Sequence, residues 1–529
     1  MRAESQSDSF SMAPAAFRRV HWICFVLVVV VFLGLLTYAC SGPRGADQFW
    51  YISDMETLNA GKAPLTNTLY PGTYLRDKIP VDKTYFIHNV PSVHVGAWLG
   101  QWLSPYGAWI TLNAIYSLVA AGALALAARR LVSPAMGVIV FAGYLLMPLT
   151  FWQSANVLQE ALFGMIVALQ IALYVSAGGA FWRWAALLVV SAAAVLFHPL
   201  FLPVAALMPL VMLWDNRAAL RARHVLLAAT ALAVAGGLQC GKSVWMPSTF
   251  QPGLREIILG TAPNRGNMVW HFSVDHPPIT AGMIFAKALI ALKQQFIIGQ
   301  RMAFLVPVNA LLFGSLFLLR QRGNRPARRV LLATGVFVAL FVGLVVLHQN
   351  QFRYSIFILP GVLLCCALVA GRWMESSRAR RWVCGVVLVG LAGFVSVNVA
   401  AARHLRREGI KSRAAIAELR ETVSHIPADE HILLETPGSG ADLPLARALY
   451  PRPCMFVRVD RLTSEQIREL IETFKPTVLF ARRGGKLPDL LGVSPGPEKM
   501  PSMFDRGHIY MLLPAETMFP PASGAPRAR

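Results

Sequence analysis

Charged residues are scarce in this sequence. Only 14% of its 529 residues are Asp, Glu, Lys or Arg, and 55% are apolar, whereas soluble domains carry about 25% charged residues. Acidic residues are the scarcer kind, with 27 of them against 49 basic ones and a formal net charge of +22. This composition excludes an ordinary soluble enzyme and predicts a chain that lies largely in the lipid bilayer.

Several other features are missing. The sequence has no internal repeat, which excludes collagen-like and coiled-coil chains, and its basic residues are not clustered on one soluble face, which argues against a nucleic-acid partner. The chain has seven cysteines, and most lie inside apolar runs, so a disulfide framework is excluded. Examples are Cys24, Cys365, Cys366 and Cys384.

Apolar runs long enough to span a membrane recur through residue 402 and then stop. The sequence predicts eleven spans, in a transmembrane domain of residues 21–402 that follows a cytoplasmic tail of residues 1–20. The predicted spans are 21–41, 108–128, 134–152, 157–177, 184–198, 200–214, 225–245, 300–320, 329–347, 354–371 and 381–402. The first run could instead be a cleaved signal peptide, but it lacks a small-residue cleavage pattern, so a retained anchor is favoured.

Arginine residues lie in alternate connections between these spans. Up to residue 402 there are 30 basic and 12 acidic residues, against 19 and 15 beyond it. Because cytoplasmic loops are enriched in Lys and Arg, this alternation predicts a cytoplasmic N-terminus. The other connections, on the outer side, carry most of the acids, including Asp47, Asp54, Glu56 and Glu160. We therefore expect a multi-pass membrane protein with its N-terminus in the cytoplasm.

Two outer loops, residues 42–107 and 246–299, are long and polar. Each contains an apolar stretch too short to span, and we expect both stretches to form helices that lie at the membrane interface. In the first loop this stretch is near 91–103, with Trp98 and Trp102 at headgroup level.

The sequence beyond residue 402 alternates short β-type runs with amphipathic helical segments. This pattern predicts a small soluble α/β domain over residues 403–514, on the periplasmic side by parity. Within this domain, the sequence Thr463-Ser464-Glu465-Gln466 predicts the start of a helix with Thr463 as its N-cap. A Pro- and Ala-rich tail, 515–529, follows and is expected to be disordered.

Two acids are candidates for chemistry on the outer side. Asp47 follows the first span in GADQFWYISDME, where it could meet a lipid headgroup and a water-side substrate at once. Glu160 lies at the outer end of the fourth span in an apolar segment, where a charge is costly and usually functional. The alternatives are a solvated loop acid for Asp47 and a snorkelling side chain for Glu160.

Other polar groups are candidates for binding phosphate. Arg353 and Tyr354 lie in QFRYSIFILPG before the tenth span, and a guanidinium there suits a lipid phosphate or ordinary anionic headgroups. His88 and Asn89 belong to HNVPSVH, a segment that could contribute to a metal site but contains no compact ligand motif, so no metal is predicted. His198 precedes Pro199 and could mark only a kink.

Together these positions resemble the membrane glycosyltransferases of the C superfamily, and most closely the bacterial branch of lipid A aminoarabinose transferases and protein O-mannosyltransferase relatives. The resemblance covers about residues 15–400 and rests on four short motifs, which are GADQFWYISDME, HNVPSVH, NVLQEALF and QFRYSIFILPG. The chain departs from the family in having Gln48 where many relatives have a second acid, and in lacking a Lys before His198.

The resemblance implies transfer of a sugar from a polyprenyl-phosphate donor to a glycan, lipid or protein acceptor, without a cofactor. Asp47 would be the general base and Glu160 would orient the sugar or acceptor. Donor phosphate would be bound by Arg353, Tyr354, His88 and His198, and substrate would contact Asp54, Glu56 and Asn89. A transporter or lipid-linked sugar flippase is the alternative. It predicts midplane charges and inverted repeats, neither of which the sequence has.

Overall fold

Serine–proline pairs begin two of the long apolar helices in the computed structural model of the chain. Ser104 and Ser133 act as N-caps, each accepting a hydrogen bond from a backbone N–H three residues ahead, and a proline follows each cap at the first helical position. The structure describes residues 15–44, 46–59, 68–69, 90–176, 181–197, 201, 210–211, 213–214, 217, 221–240, 328–337, 356–374, 377–427, 429–435, 452, 454–457, 463–481, 485–492 and 508–511.

Helices make up most of the described chain. Before residue 241 they are α1 (Ala15–Ala39), α2 (Ala46–Asn59), α3 (Val90–Leu99), α4 (Pro105–Leu131), α5 (Pro134–Leu146), α6 (Pro148–Ser154), α7 (Glu160–Ser176), α8 (Phe181–Phe197) and α9 (Ala222–Cys240). Residues 328–337 are also helical. After them come α10 (Leu359–Trp373), α11 (Ser377–Thr422), α12 (Ser464–Phe474) and α13 (Leu487–Leu491).

The apolar helices pack into one bundle. Helix α4 lies against α5 and α7, α7 against α8, α8 against α9, and α1 against α5 and α11. Aromatic side chains fill the centre, where Trp109, Tyr144 and Phe163 are fully buried. By contrast, Trp22 on α1 and Trp382 on α11 are about 70% exposed, as side chains that face lipid would be.

Three helices in the described part of the chain are long and apolar enough to cross a membrane: Arg19–Ala39, Pro105–Leu131 and Arg380–Glu421. A fourth candidate is the pair α5 and α6, which bends by 54°. The sequence predicted one span over 134–152, and the bend occurs within it because Pro148 cannot continue the hydrogen-bond ladder and Met147 takes an extended conformation before it. The total of eleven spans stays a prediction, because span 300–320 and most of 200–214 lie outside the described residues.

Within the predicted polar loop 42–107, residues Ala46–Asn59 form helix α2, which the sequence analysis did not predict. Gln48, Tyr51, Ile52 and Met55 recur at helical spacing on its buried side, so the pattern was present in the sequence. The expected helix near 91–103 is present as α3, and Trp98 within it and Trp102 just beyond it are both exposed and pack edge to face at 4.7 Å between ring centroids. The second expected interfacial helix, in 246–299, falls outside the described residues.

Helix α11 is a single helix of 46 residues. The sequence predicted its last span, 381–402, and the amphipathic segment from Lys411 as separate elements, and placed a domain boundary at residue 403 inside what proves to be this helix. Residues 403–413 contain neither proline nor an N-cap that would interrupt the helix. Directly after the helix, the carbonyls of Val423, Ile426 and Pro427 accept hydrogen bonds from the guanidinium of Arg452.

The strands form one five-stranded sheet of order β1–β3–β2–β4–β5. Its members are β1 (Thr68–Leu69), β2 (Ile432–Glu435), β3 (Cys454–Val457), β4 (Val478–Ala481) and β5 (His508–Met511). The first four are parallel to their neighbours and β5 is antiparallel. The four β-type runs identified in the C-terminal sequence are thus strands. Helix α12 begins at the predicted cap, where Thr463 and Gln466 form a capping box.

Strand β1 comes from the first outer loop, yet it pairs with β3 from the C-terminal sequence. Such pairing is possible only if both segments lie on the same side of the membrane. This agrees with the parity predicted from the charges.

Candidate functional site

The turn at residues 155–159, which leads into α7, is held by three polar side chains from helices α2 and α4. Gln48 of α2 donates from Nε2 to Asn156 Oδ1 at 2.9 Å, and Asn113 of α4 donates from Nδ2 to the Asn156 carbonyl at 2.6 Å. The indole N–H of Trp109 donates to the Leu158 carbonyl at 3.1 Å. These bonds fix the backbone directly before Glu160.

Arg44 joins this turn to two more helices. Its Nη1 donates to the carbonyls of Ala39, at the end of α1, and Leu405 of α11, at 3.2 and 2.7 Å. Its Nη2 donates to the Ala155 carbonyl and lies 3.5 Å from Asn156 Oδ1. A half-buried guanidinium with this many acceptors has a structural role, because leaving it unpaired would be costly. Arg44 therefore fixes the N-terminus of α2 against the turn.

The backbone of Asp47 lies at the junction between the start of α2 and the 155–159 turn. It is the second residue of α2, beside Gln48, whose Oε1 accepts a hydrogen bond from the Arg44 backbone N–H at 3.2 Å. Asp54 lies seven residues further, two helical turns away and so on the same side of α2. The side chains of Asp47 and Asp54 are outside the described part of the structure. Glu56 is half-buried and lies about 180° around the helix from Asp47, so the three acids do not share one side.

Glu160 is the first residue of α7 and only 1% exposed. The N-terminus of a helix favours a negative charge, because its free N–H groups and its dipole point at the carboxylate. The prediction that Glu160 lies at the end of an apolar helix is confirmed. Full burial argues against the alternative that it snorkels to solvent.

The remaining predicted residues, which are His88, Asn89, His198, Arg353 and Tyr354, lie outside the described residues. Their chain neighbours are described, however. Phe163 of α7 stacks on Phe357 at 5.5 Å between ring centroids and meets Phe201 edge to face at 5.2 Å. Phe201 and Phe357 also contact each other, at 5.8 Å. This aromatic cluster brings the segments that follow His198 and Arg353 against the first turn of α7.

A second contact joins the same segments. A Cβ added to Gly164, one turn after Glu160, would lie 2.8 Å from the side chain of Ile356. Ile356 follows Arg353 by three residues, and three residues of extended chain span at most about 10 Å. The lack of a side chain at Gly164 therefore allows the segment after Arg353 to approach α7 closely.

Basic side chains collect at the opposite end of the bundle. Arg183 donates a hydrogen bond to the carbonyl of Ser176, the last residue of α7, and the guanidinium of Arg329 lies over Tyr174, 6.0 Å from its ring centroid. Arg223 lies over Phe181 at 4.9 Å. These three arginines, which lie in connections predicted to be cytoplasmic, are therefore together at one end of the bundle.

Sequence reasoning missed Arg44, Gln48, Asn113 and Asn156. Asn113 had a detectable signal, since it is an amide within an apolar span and is fully buried. Gln48 was noted only as a departure from a family pattern. Among the described residues, no group of three His, Cys, Asp or Glu side chains is placed to hold a metal ion.

Two solved structures of ArnT from Cupriavidus metallidurans are similar to this chain over nearly its whole length. One, bound to undecaprenyl phosphate, has a TM-score of 0.59 and 14% identity, over 94% of this chain and 98% of that one. The other, in the apo state, has a TM-score of 0.61 and 15% identity, over 96% of this chain and 100% of that one. The chain shares the fold of ArnT.

A more distant structure shares this fold. The apo oligosaccharyltransferase of Archaeoglobus fulgidus has a TM-score of 0.55 and 11% identity, over 87% of this chain and 69% of that one. No protein-family model matches the sequence, and no curated protein is significantly similar to it. The resemblance inferred from four short motifs is therefore confirmed at the level of fold.

Proposed function

We propose that this protein transfers a sugar from a polyprenyl-phosphate donor to a glycan, lipid or protein acceptor at the periplasmic face of a bacterial inner membrane. The observation that carries the proposal is the C-superfamily fold over 94% of the chain, in common with an ArnT structure bound to undecaprenyl phosphate. The contacts of α2 with the 155–159 turn and of Phe163 with Phe201 and Phe357 support it, since they bring α2 and the residues that follow His198 and Arg353 to the start of α7.

Asp47 is the general base in this proposal. The acceptor hydroxyl oxygen attacks the anomeric carbon of the sugar, its proton passes to the Asp47 carboxylate, and the bond from that carbon to the phosphate oxygen breaks. The bonding electrons leave with the polyprenyl phosphate. The hydrogen bonds of Arg44 and Gln48 support this role by fixing the start of α2.

The departing phosphate gains negative charge, which Arg353, Tyr354, His88 and His198 would stabilise. Glu160 orients the sugar or acceptor, and Asp54 and Asn89 contact substrate, whereas Glu56 lies on the opposite side of α2 from Asp47. No step needs a metal or other cofactor in this scheme, because cationic side chains supply the stabilisation. In this scheme the bundle has the eleven predicted spans with the N-terminus in the cytoplasm, and the sheet that β1 forms with the C-terminal strands lies on the periplasmic side.

Mass spectrometry of cell-envelope components tests this function. A deletion strain should lack one sugar substituent on an envelope glycan, lipid or protein, and a plasmid copy of the gene should restore it. The purified protein, given the donor and the acceptor so identified, should release polyprenyl phosphate. If the donor crosses the bilayer with its sugar–phosphate bond intact, the protein is a flippase and the proposal is wrong.

A further inference from the structure

Five basic residues follow the last apolar part of α11 within eleven positions, and we call them the basic collar. They are Arg403, Arg406, Arg407, Lys411 and Arg413, and Glu408 is the one acid among them. Beyond residue 413 the chain has 14 basic and 14 acidic residues. The collar therefore accounts for the whole basic excess of the sequence after residue 402.

The collar lies at the candidate-site end of the bundle. The Leu405 carbonyl accepts the hydrogen bond from Arg44, and the Arg406 carbonyl accepts one from Ser41 Oγ at 2.7 Å. This is the end away from Arg183 and Arg329. Basic residues next to a span are normally concentrated on the cytoplasmic side. A basic collar on the predicted outer side therefore indicates that it binds an anionic partner there.

Two collar residues point away from the candidate site. Leu405, whose carbonyl is bonded to Arg44, is buried. Arg403 and Arg407 lie two positions on either side of it, about 160° around the helix, and both are exposed. Within the described part of the chain no carboxylate forms an ion pair with either arginine, whereas Lys411 pairs with Glu408 at 3.4 Å. A substrate in the candidate site would not reach this face.

The depth of the two arginines matches the lipid headgroups. With a rise of about 1.5 Å per residue, Arg403 and Arg407 lie within about 8 Å of Ala402, the last residue of the apolar stretch. The headgroup layer on each side of a bilayer is about 5–8 Å thick. We propose that Arg403 and Arg407 form a binding site for the phosphate groups of anionic membrane phospholipids in the outer leaflet.

In this proposal, the contact with lipid headgroups fixes the position of α11 along the membrane normal. The helix runs without a break from Ser377 to Thr422, and Arg452, two residues before β3, donates hydrogen bonds to the segment that follows it. Bound headgroups therefore fix how far the helix extends from the bilayer, and with it the sheet.

Photo-crosslinking of the full-length protein in lipid nanodiscs tests the site. Photoactivatable phosphatidylglycerol should label the segment around 399–411 more than photoactivatable phosphatidylcholine does. Each of the two arginines should raise the ratio of the two labelling yields by about 5-fold. The double variant Arg403→Gln/Arg407→Gln should lower the phosphatidylglycerol yield to that of phosphatidylcholine. Equal labelling by the two lipids, or full labelling of the double variant, would overturn the proposal.

Arg420→Gln is the matched control, because Arg420 is exposed on the same helix but about 27 Å beyond Ala402. It should keep the labelling of the wild type. Melting temperatures of all variants should agree, since the three arginines are on the surface. Inorganic phosphate should reduce labelling no more than chloride at equal ionic strength. A stronger effect of phosphate would identify a free-phosphate site and overturn the lipid assignment.

Discussion

Gln48 donates a hydrogen bond to the Oδ1 of Asn156 at 2.9 Å while its own Oε1 accepts one from the backbone of Arg44. An amide can do both, whereas a carboxylate only accepts. A second acid at position 48 would place a negative oxygen against the amide oxygen of Asn156. The glutamine is therefore a matched part of this junction, although the family pattern favours an acid there.

Replacing Asn156 should destabilise the protein. Asn156→Ala leaves the buried Gln48 amide without its acceptor, which costs about 1–3 kcal/mol of unfolding free energy. Asn156→Asp loses the hydrogen bond that Nδ2 donates to the Trp152 carbonyl, but it keeps an acceptor for Gln48 and Arg44 and should cost less than Ala. Thermal unfolding of the purified variants measures the difference, with the exposed Gln101→Ala as control. If Asp were as destabilising as Ala, the hydrogen bond to Gln48 would not be the important contact.

Gly409 of α11 packs directly on Gly42. A Cβ at Gly409 would lie 2.8 Å from the Gly42 nitrogen and 3.0 Å from its carbonyl oxygen, so the helix and the turn must separate. We expect Gly409→Ala to lower stability by about 1–3 kcal/mol, in spite of the higher helix propensity of alanine.

The matched control for this change is Gly390→Ala on the same helix, where nothing lies within 4 Å. It should be neutral or slightly stabilising in the same thermal unfolding measurement. Equal melting temperatures for the two variants would show that α11 does not approach Gly42 this closely.

Thr68 and Cys454 are paired residues in the parallel strands β1 and β3. Neighbouring strands lie about 4.8 Å apart, within the Cα separation that a disulfide accepts. Thr68→Cys should therefore form a disulfide with the native Cys454 under mild oxidation, detected as a linked peptide by mass spectrometry. Leu69→Cys should link to it poorly, because successive side chains alternate between faces. Equal linkage would contradict the register.

Glu160→Gln should preserve the fold and impair transfer. The amide has almost the same shape, but it removes the negative charge at the N-terminus of α7. We expect the rate of sugar transfer to fall about 10- to 100-fold, as for a misplaced reactant. The control is Glu472→Gln, at an exposed position of α12. An unchanged rate with Glu160→Gln would remove this residue from the site.

The sequence predicted the apolar bundle and the positions of the C-terminal strands because both depend on local patterns. Spans follow from runs of apolar residues, and strands such as Ile432–Glu435 follow from short β-type runs between turns. Thr463 was recognisable as a cap for the same reason.

The junction could not be predicted, because its contacts join residues that are far apart in the sequence. Arg44 meets Leu405 across 361 positions, and Gln48 meets Asn156 across 108. The pairing of β1 with β3 is equally remote. Helix α11 was divided in the prediction because its composition changes at Arg403, although a change of solvent does not end a helix.

The most direct measurement of the central claim is the rate of sugar transfer by Asp47→Asn, compared with the exposed control Asp429→Asn, in membranes that contain equal amounts of folded protein. Loss of a general base lowers a rate by about 100-fold or more. We predict that decrease in the release of polyprenyl phosphate for Asp47→Asn and a wild-type rate for Asp429→Asn. Transfer by Asp47→Asn at a rate near that of the wild type would contradict the account.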